Sequence, residues 1–395
     1  MFTHLIAPVS NDRFWTDVWS QTHLYIARQD PTYFATVLPI EVLDQLLQNQ
    51  YVSASYFDVY KNGKYIDRNS WSETQSTHTI VPERLLYQFA NGATLIFSNA
   101  NTILPSVGAY CSKLTRELGY DTHANIYITP PHSQGFDVHY DSHDVFILQV
   151  HGTKVWHLYN RAADAPTDEQ PYDSKIIADP GLPATILTLQ PGDTLYVPRG
   201  YLHDAAATDT ASIHITLGIN PPYWYQLLKD PVLQEAAFRQ AIPNPLMPPE
   251  QQAALTAAFQ AALASWPAKL DPANLLDHQH KNVGHQKKYT TTGRFRDLLN
   301  LPHITLDTVV QRRPDLLYTL TATATELQLK FGARQITYPP FLASTLDPLE
   351  QPDPFPIHAL KGLIADQGKL ELVTNLIRKG FLEIVTVAPA ASETA

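Results

Sequence analysis

The sequence predicts an α+β protein whose centre is a double-stranded β-helix, the jelly-roll form in which two antiparallel sheets pack face to face. Residues 124–220 carry strand after strand, punctuated by Gly and Pro. Residues 221–300 are rich in Ala, Gln and Leu, without a strand signal, and indicate helices. The predicted domains are therefore 1–220 with the jelly roll, 221–300 helical, 301–387 a small mixed unit, and 388–395 a disordered tail.

A lead-in of helices and short strands is predicted before the barrel. The aromatic and apolar residues Phe14, Trp15, Val18 and Trp19 follow the spacing of a buried helical face. Two short strands are predicted over 51–68 about Asn62-Gly63, a pair that strongly favours a hairpin turn. Further helices are predicted over 39–50, 82–91 and 103–118, with strands over 24–28 and 93–97.

The barrel strands follow from short β-branched and aromatic runs. They are predicted over 125–129, 144–150, 153–159, 184–189, 194–197 and 211–219, with a polar loop at 160–180. In the last unit, strands are predicted over 318–320, 326–330, 334–338 and 381–384, and helices over 356–363 and 370–379.

Composition excludes several classes of protein. The net charge of −10 provides no basic field for a phosphate backbone, so direct nucleic-acid binding is not expected. The single cysteine, Cys111, cannot form an internal disulfide and does not call for an oxidising compartment. There is no basic segment followed by a long apolar one at the N-terminus, and no run reaches the length of a membrane span. We therefore expect a cytoplasmic protein without a membrane partner.

The residues that suggest chemistry are His139 and Asp141. Two positions apart on a strand, their side chains would share one face. His203 follows the tight bend Pro198-Arg199-Gly200 and is the best candidate for a third ligand at the barrel mouth. Two histidines and one carboxylate with open positions suit non-haem Fe(II).

An isolated His-x-Asp pair is weak evidence, because it occurs by chance and a surface strand would explain it. His143 also lies two residues from Asp141, so strand alternation leaves it as a competing ligand.

The residues around this pair form a longer pattern. It consists of Asn125, Tyr127, Thr129, Pro130, Ser133, Gln134, Gly135, His139, Asp141, Asp144, Val145, Phe146, Leu148, Gln149, Gly152, Lys154 and Trp156, with the distal Pro198, Arg199, Gly200 and His203. In this pattern the sequence resembles the JmjC-type cupins of the ribosomal-oxygenase group, which are 2-oxoglutarate-dependent hydroxylases. The resemblance favours His139 over His143 and implies Fe(II) with 2-oxoglutarate as cosubstrate.

The resemblance also implies roles for other residues. Lys154 would bind the far carboxylate of 2-oxoglutarate, because a cation within an apolar strand needs an anionic partner. Tyr127 and Asn125 would contact the cosubstrate, although polar core residues would explain them nearly as well. Gly218 offers no hydroxyl where relatives often have serine, which leaves Thr216 or His214 to substitute. For His214, a barrel histidine with a structural role is the alternative.

The implied activity is hydroxylation of an Arg or His side chain in a ribosomal protein or a peptide. The implied architecture includes homodimerisation through the helical region and a winged-helix-like C-terminal domain. Two alternatives remain: N-methyl-lysine demethylation by the same chemistry, and a non-catalytic cupin scaffold that binds a protein partner.

Overall fold

The computed structural model describes residues 1–49, 51–73, 78–170, 180–283, 291–314, 316–351 and 353–386, with only the backbone for 278–283 and 350. The predicted disordered tail, 388–395, lies outside the described residues. The chain divides into two compact units, Met1–Pro221 and Pro222–Ala395. Among the described residues, no helix combines the length and apolar character needed to cross a membrane.

The first unit is built from a helical lead-in and thirteen described strands. Its helices are α1 (Phe2–Ile6), α2 (Asn11–Arg13), α3 (Glu41–Gln48), α4 (Pro82–Ala90) and α5 (Pro105–Leu118). Its strands are β1 (Leu24–Ile26), β2 (Phe57–Lys61), β3 (Lys64–Tyr65), β4 (Ser72–Glu73), β5 (Thr79–Ile80), β6 (Thr94–Phe97), β7 (Asp121–Thr129), β8 (Asp144–His151), β9 (Lys154–Arg161), β10 (Thr185–Leu189), β11 (Thr194–Val197), β12 (Tyr201–Ala207) and β13 (Ser212–Asn220).

Two antiparallel sheets of this unit form the predicted jelly roll. The larger has the strand order β1-β11-β8-β13-β7-β6-β2-β3, and the smaller has the order β10-β9-β12. Val145 and Ile147 of β8 meet Trp156 and Leu158 of β9 in the apolar layer between the sheets. The alternate β8 side chains, such as Phe146, face the main core under the lead-in helices. Burial on both faces explains why β8 is almost continuously apolar.

The lead-in largely follows its prediction. Asn62 and Gly63 adopt positive φ of 48° and 72° and join β2 to β3, as the hairpin signal predicted. The predicted buried face is wrong at Trp15, which is 36 % exposed, whereas Phe14 and Val18 are buried. Residues Phe14–Val18 form a π-helical turn, whose wider winding displaces Trp15 from the buried stripe.

The second unit has its own core. Its helices are α6 (Trp224–Gln234), α7 (Pro249–Ser265), α8 (Pro272–Val283), α9 (Arg294–Asn300), α10 (Ala343–Leu346) and α11 (Asp366–Lys379). Its strands are β14 (Val309–Arg312), β15 (Tyr318–Ala322), β16 (Leu327–Phe331), β17 (Arg334–Tyr338), β18 (Phe355–Pro356) and β19 (Leu382–Thr386). The helix predicted over 356–363 is wrong: β18 is followed only by a 3₁₀ turn, because Val309 pairs with Pro356 and holds this segment extended.

A buried hydroxyl network ties the lead-in to the barrel. The hydroxyl of the fully buried Tyr196 on β11 donates to Oδ1 of Asp144 on β8, at 2.7 Å. The Tyr196 hydroxyl oxygen also accepts the backbone N–H of Ser20, at 2.9 Å. One side chain therefore satisfies polar groups from two separate parts of the chain.

Removing this hydroxyl should destabilise the protein. Tyr196→Phe leaves the Asp144 oxygen and the Ser20 N–H without their partner, which costs about 1–3 kcal/mol in the free energy of unfolding. Urea denaturation would measure this loss. Tyr65→Phe is the matched control, because Tyr65 is 46 % exposed and should change stability little. Equal stability of the two variants would contradict the assigned role of Tyr196.

Candidate metal centre and its cavity

Two separate parts of the chain bring His139, Asp141 and His203 together. One ligand atom from each lies within 4.8 Å of the others, and His203 Nε2 is 3.7 Å from Asp141 Oδ2. His143 is not a member of this group; its ring instead lies 5.1 Å, between centroids, from that of His123. The structure thus places the three predicted ligands at one point and leaves the competing histidine outside it.

The sequence predicts that the His-x-Asp pair lies on a strand. In the structure the pair lies in the loop between β7 and β8. His139 forms an isolated bridge with His203, so the loop is extended only there. The two residues exchange backbone hydrogen bonds of 3.1 and 2.8 Å, and the N–H of Gly200 donates to the carbonyl of Asp141 at 3.0 Å. The short pairing preserves the alternation that puts both side chains on one side.

Gly200 is required by the bend that brings His203 to this position. Its φ is +81°, and a Cβ atom there would lie 2.0 Å from the carbonyl oxygen of Ala163. Only glycine satisfies both the backbone conformation and the close approach.

Both histidines are oriented by backbone carbonyls. His139 Nδ1 lies 2.9 Å from the carbonyl oxygen of Asp137, and His203 Nδ1 lies 3.0 Å from that of Tyr201. A carbonyl only accepts, so each Nδ1 carries the proton and each Nε2 keeps a free lone pair. This arrangement is typical of metal-binding histidines.

The electrostatics of the group favour a bound cation. Burial, with the neighbouring His139, lowers the pKa of His203 to about 4, so this imidazole is neutral near pH 7. Burial alone would raise the pKa of Asp141, but His203 and His139 lower it below its usual value. Two imidazoles and an ionised carboxylate form a donor set that suits a divalent transition metal.

A cavity between the two sheets opens beside this group. It is lined by Thr94, Tyr127, Gly135, Phe136, His139, Asp141, Val145, Ile147, Lys154, Trp156, His203, Ala205, His214 and Thr216. The lining includes the predicted Lys154, Tyr127 and Thr216, together with His214. Asn125 is not among the described residues that line it, and its Oδ1 accepts the backbone N–H of Asn99 at 2.9 Å.

Lys154 places a buried amine at one end of the cavity. It is 4 % exposed, and its Nζ donates to Thr129 Oγ1 at 3.2 Å. Among the described residues no carboxylate pairs with it, and burial lowers its pKa to about 7. An amine buried in this way is best stabilised by an anionic ligand.

Two further polar atoms near Lys154 lack partners among the described residues. They are Nε1 of Trp156 and Nδ1 of His214, and both are buried. The His214 ring stacks on that of Tyr127, with centroids 4.8 Å apart. Burial, with Lys154, holds the pKa of His214 well below its usual value, so its ring is neutral. The sequence interpretation missed Trp156 as a polar contributor, although its position two residues after Lys154 on β9 puts both side chains on one face.

Comparison with known proteins identifies the domain. A family model described as JmjC domain matches residues 100–227. The mosquito Culex quinquefasciatus has a protein named bifunctional lysine-specific demethylase and histidyl-hydroxylase NO66, which is 32 % identical over 237 residues, covering 58 % of this chain and 35 % of that protein. Human ribosomal oxygenase 1 is 32 % identical over 224 residues, covering 55 % of this chain and 34 % of that protein. The chain thus spans about a third of the length of these relatives.

Solved structures show the same fold over nearly the whole chain. Escherichia coli ycfD has a TM-score of 0.53 at 16 % identity, covering 95 % of this chain and 98 % of that one. A second structure of this protein, described as a ribosomal oxygenase in complex with cobalt and 2-oxoglutarate, has a TM-score of 0.50 at 15 % identity, covering 96 % and 99 %. The predicted resemblance is therefore confirmed: residues 100–227 match the JmjC domain model, the chain is similar in sequence to proteins named ribosomal oxygenase and NO66, and it shares the cupin fold of E. coli ycfD.

Proposed function

We propose that this protein is a 2-oxoglutarate- and Fe(II)-dependent oxygenase that hydroxylates an Arg or His side chain of a ribosomal protein or peptide. The observation that carries the proposal is the convergence of His139, Asp141 and His203 at a cavity that also holds a buried lysine. Metal and cosubstrate would then bind side by side in one space.

The three converging side chains fit Fe(II). Each histidine turns a free Nε2 toward the centre, and Asp141 supplies a negative charge. A facial set of two histidines and one carboxylate leaves the other positions of a six-coordinate metal open. When bound, Fe(II) with 2-oxoglutarate and O₂ supplies the oxidising power, and 2-oxoglutarate is converted to succinate and CO₂.

The end of the cavity at Lys154 fits a carboxylate. The ammonium form of Lys154 would pair with the far carboxylate of 2-oxoglutarate, and Trp156 Nε1 would donate to an acceptor oxygen. Tyr127 remains a protonated donor, because burial and the charge of Asp141 raise the pKa of its hydroxyl. Thr216 lines the same cavity on β13 and is proposed as a further cosubstrate contact. Asn125 is proposed to support Tyr127 in this role, because its side chain hydrogen-bonds the Tyr127 hydroxyl while its Oδ1 accepts the backbone N–H of Asn99.

The names of the relatives support a protein substrate. One is named for histidyl hydroxylation together with lysine demethylation, and another is named ribosomal oxygenase. Demethylation is therefore the second candidate, since it uses the same metal chemistry on a methyl group. The complete ligand set disfavours a non-catalytic scaffold, as does the buried Lys154, which has no carboxylate partner among the described residues.

We also propose a cytoplasmic homodimer with a winged-helix-like C-terminal domain. Helix α7 supports dimerisation. None of its residues is buried, and its large apolar side chains Phe259 and Leu263 are about half exposed. An apolar helix of this kind is stabilised by a partner surface. The three-stranded sheets and α11 of the second unit support the winged-helix-like comparison.

Turnover of 2-oxoglutarate without substrate tests the proposal. We expect purified protein with Fe(II) and ascorbate to form succinate slowly, and His139→Ala to reduce this to the level without enzyme. His151→Ala is a matched control, because His151 is exposed at the end of β8. Succinate formation that survives His139→Ala would contradict the assignment, whereas 2-oxoglutarate binding without turnover would show a need for the protein substrate.

The affinity for 2-oxoglutarate should fall as pH rises above 7. Without a ligand, burial lowers the pKa of the Lys154 amine to about 7, so the amine is positively charged below pH 7. Above it, binding the dianion requires uptake of a proton, so Kd should increase by up to about tenfold per pH unit until the pKa of the bound form.

Anaerobic calorimetric titrations with Fe(II) between about pH 6 and 9 would measure this dependence. Lys154→Arg is the control, since guanidinium stays charged throughout and should give a nearly flat profile. A flat profile in the parent protein would exclude Lys154 as the titrating partner of 2-oxoglutarate.

A further inference from the structure

The two metal-binding histidines are not held equally well by regular structure. His203 lies on β12, and its Nδ1–H donates to the carbonyl of Tyr201 on the same strand. His139 lies in a loop, and its Nδ1–H donates to the carbonyl of Asp137 in that loop. The direction of the His139 Nε2 lone pair therefore depends on where residues 134–137 are held.

The tip of the β2–β3 hairpin holds this loop from one side. The N–H of Asn62 donates to the carbonyl of Gln134 at 3.0 Å, and the N–H of Gly63 donates to that of Gly135 at 2.8 Å. On the other side, Gln134 bridges to Ala206 on the smaller sheet. The loop is thus fixed between the hairpin and β12.

Side-chain contacts also connect the hairpin to the metal-binding His139. The ring of Tyr60 lies 4.5 Å from that of Phe136, and the Phe136 ring lies 5.3 Å from the imidazole of His139, between centroids. The carboxylate of Asp137 lies directly over Gly63, where a Cβ atom would be 2.0 Å from Oδ2. A Cβ atom at this position would therefore force the Asp137 side chain aside, and the φ of +72° independently favours glycine.

We propose that the Asn62–Gly63 turn is a positioning device for His139, which it orients through the loop 134–137. The inference rests on the proposed function, since it concerns the same metal site. The hairpin lies outside residues 100–227, so a segment beyond the matched JmjC domain completes the metal centre. Asn62 and Gly63 are positioning residues and do not touch the metal.

The test compares two glycines with the same backbone conformation. Gly63 has φ +72° and meets Asp137, whereas Gly119, at the end of α5, has φ +69° and has no atom within 4 Å of an added Cβ. Alanine strains both backbones alike, but only Gly63→Ala also forces a side chain of the loop to move, that of Asp137, whose carbonyl orients His139. The double variant Gly63→Ala with Asp137→Ala removes the three nearest clashing atoms and should restore the position of His139.

The readout is the affinity for Co(II), followed by its visible absorption spectrum, together with the thermal unfolding midpoint. We expect Gly63→Ala to raise the Kd for Co(II) about tenfold or more, which is typical of losing the support of a metal ligand. Gly119→Ala should unfold at a temperature similar to that of Gly63→Ala but bind Co(II) like the parent. The double variant should recover most of the affinity for Co(II).

Equal Co(II) affinity of Gly63→Ala and Gly119→Ala would overturn the positioning role while leaving the metal site intact. A parent protein that binds no Co(II) at this site would overturn both the proposed function and this inference.

If Gly63→Ala fails to fold, Tyr60→Leu tests the same path, because it removes the ring against Phe136. Tyr87→Leu, at a position 66 % exposed on α4, is its control. Weaker Co(II) binding by Tyr60→Leu alone supports the proposal, and equal binding by the two variants overturns it.

Discussion

His139 and His203 exchange two backbone hydrogen bonds, and the candidate site depends on this pairing. It joins the loop that follows β7 to the strand that follows the Gly200 bend. The pairing fixes the spacing of the two side chains, while the carbonyls of Asp137 and Tyr201 fix the tautomer and direction of each ring. Backbone geometry thus prepares the donor set before a metal arrives, which reduces the reorganisation that binding requires.

The jelly roll supplies an interior face where polar groups can be buried without unfolding the protein. On β13, Ile215 and Leu217 pack in the main core, whereas His214 and Thr216 face the cavity. The apolar face stabilises the strand, while the other face carries polar groups, among them His214 Nδ1, which has no hydrogen-bond partner among the described residues. Burying Lys154 opposes folding in the absence of a ligand, and this cost is recovered when an anion binds.

The sequence predicted the three converging residues because their types and local motifs are distinctive. It did not predict strand β12, since the Ala-rich segment after His203 has low β propensity and becomes a strand only through pairing with β9. Nor did it predict that the His139–Asp141 segment is a loop, because a single bridge to a distant residue makes it extended there. The sequence also did not predict which polar atoms have partners. Among the described residues Nε1 of Trp156 has none, whereas Oδ1 of Asn125 accepts from Asn99, and both facts depend on residues far away in the chain.

If His139, Asp141 and His203 form one preorganised iron site, the number of iron ions bound per chain must depend on all three residues. Purified protein would be dialysed anaerobically against Fe(II), and bound iron measured for the parent and for His203→Ala. We expect one tightly bound iron per chain in the parent and its loss in the variant. Iron retained by His203→Ala at the same stoichiometry and affinity, or no iron in the parent, would contradict it.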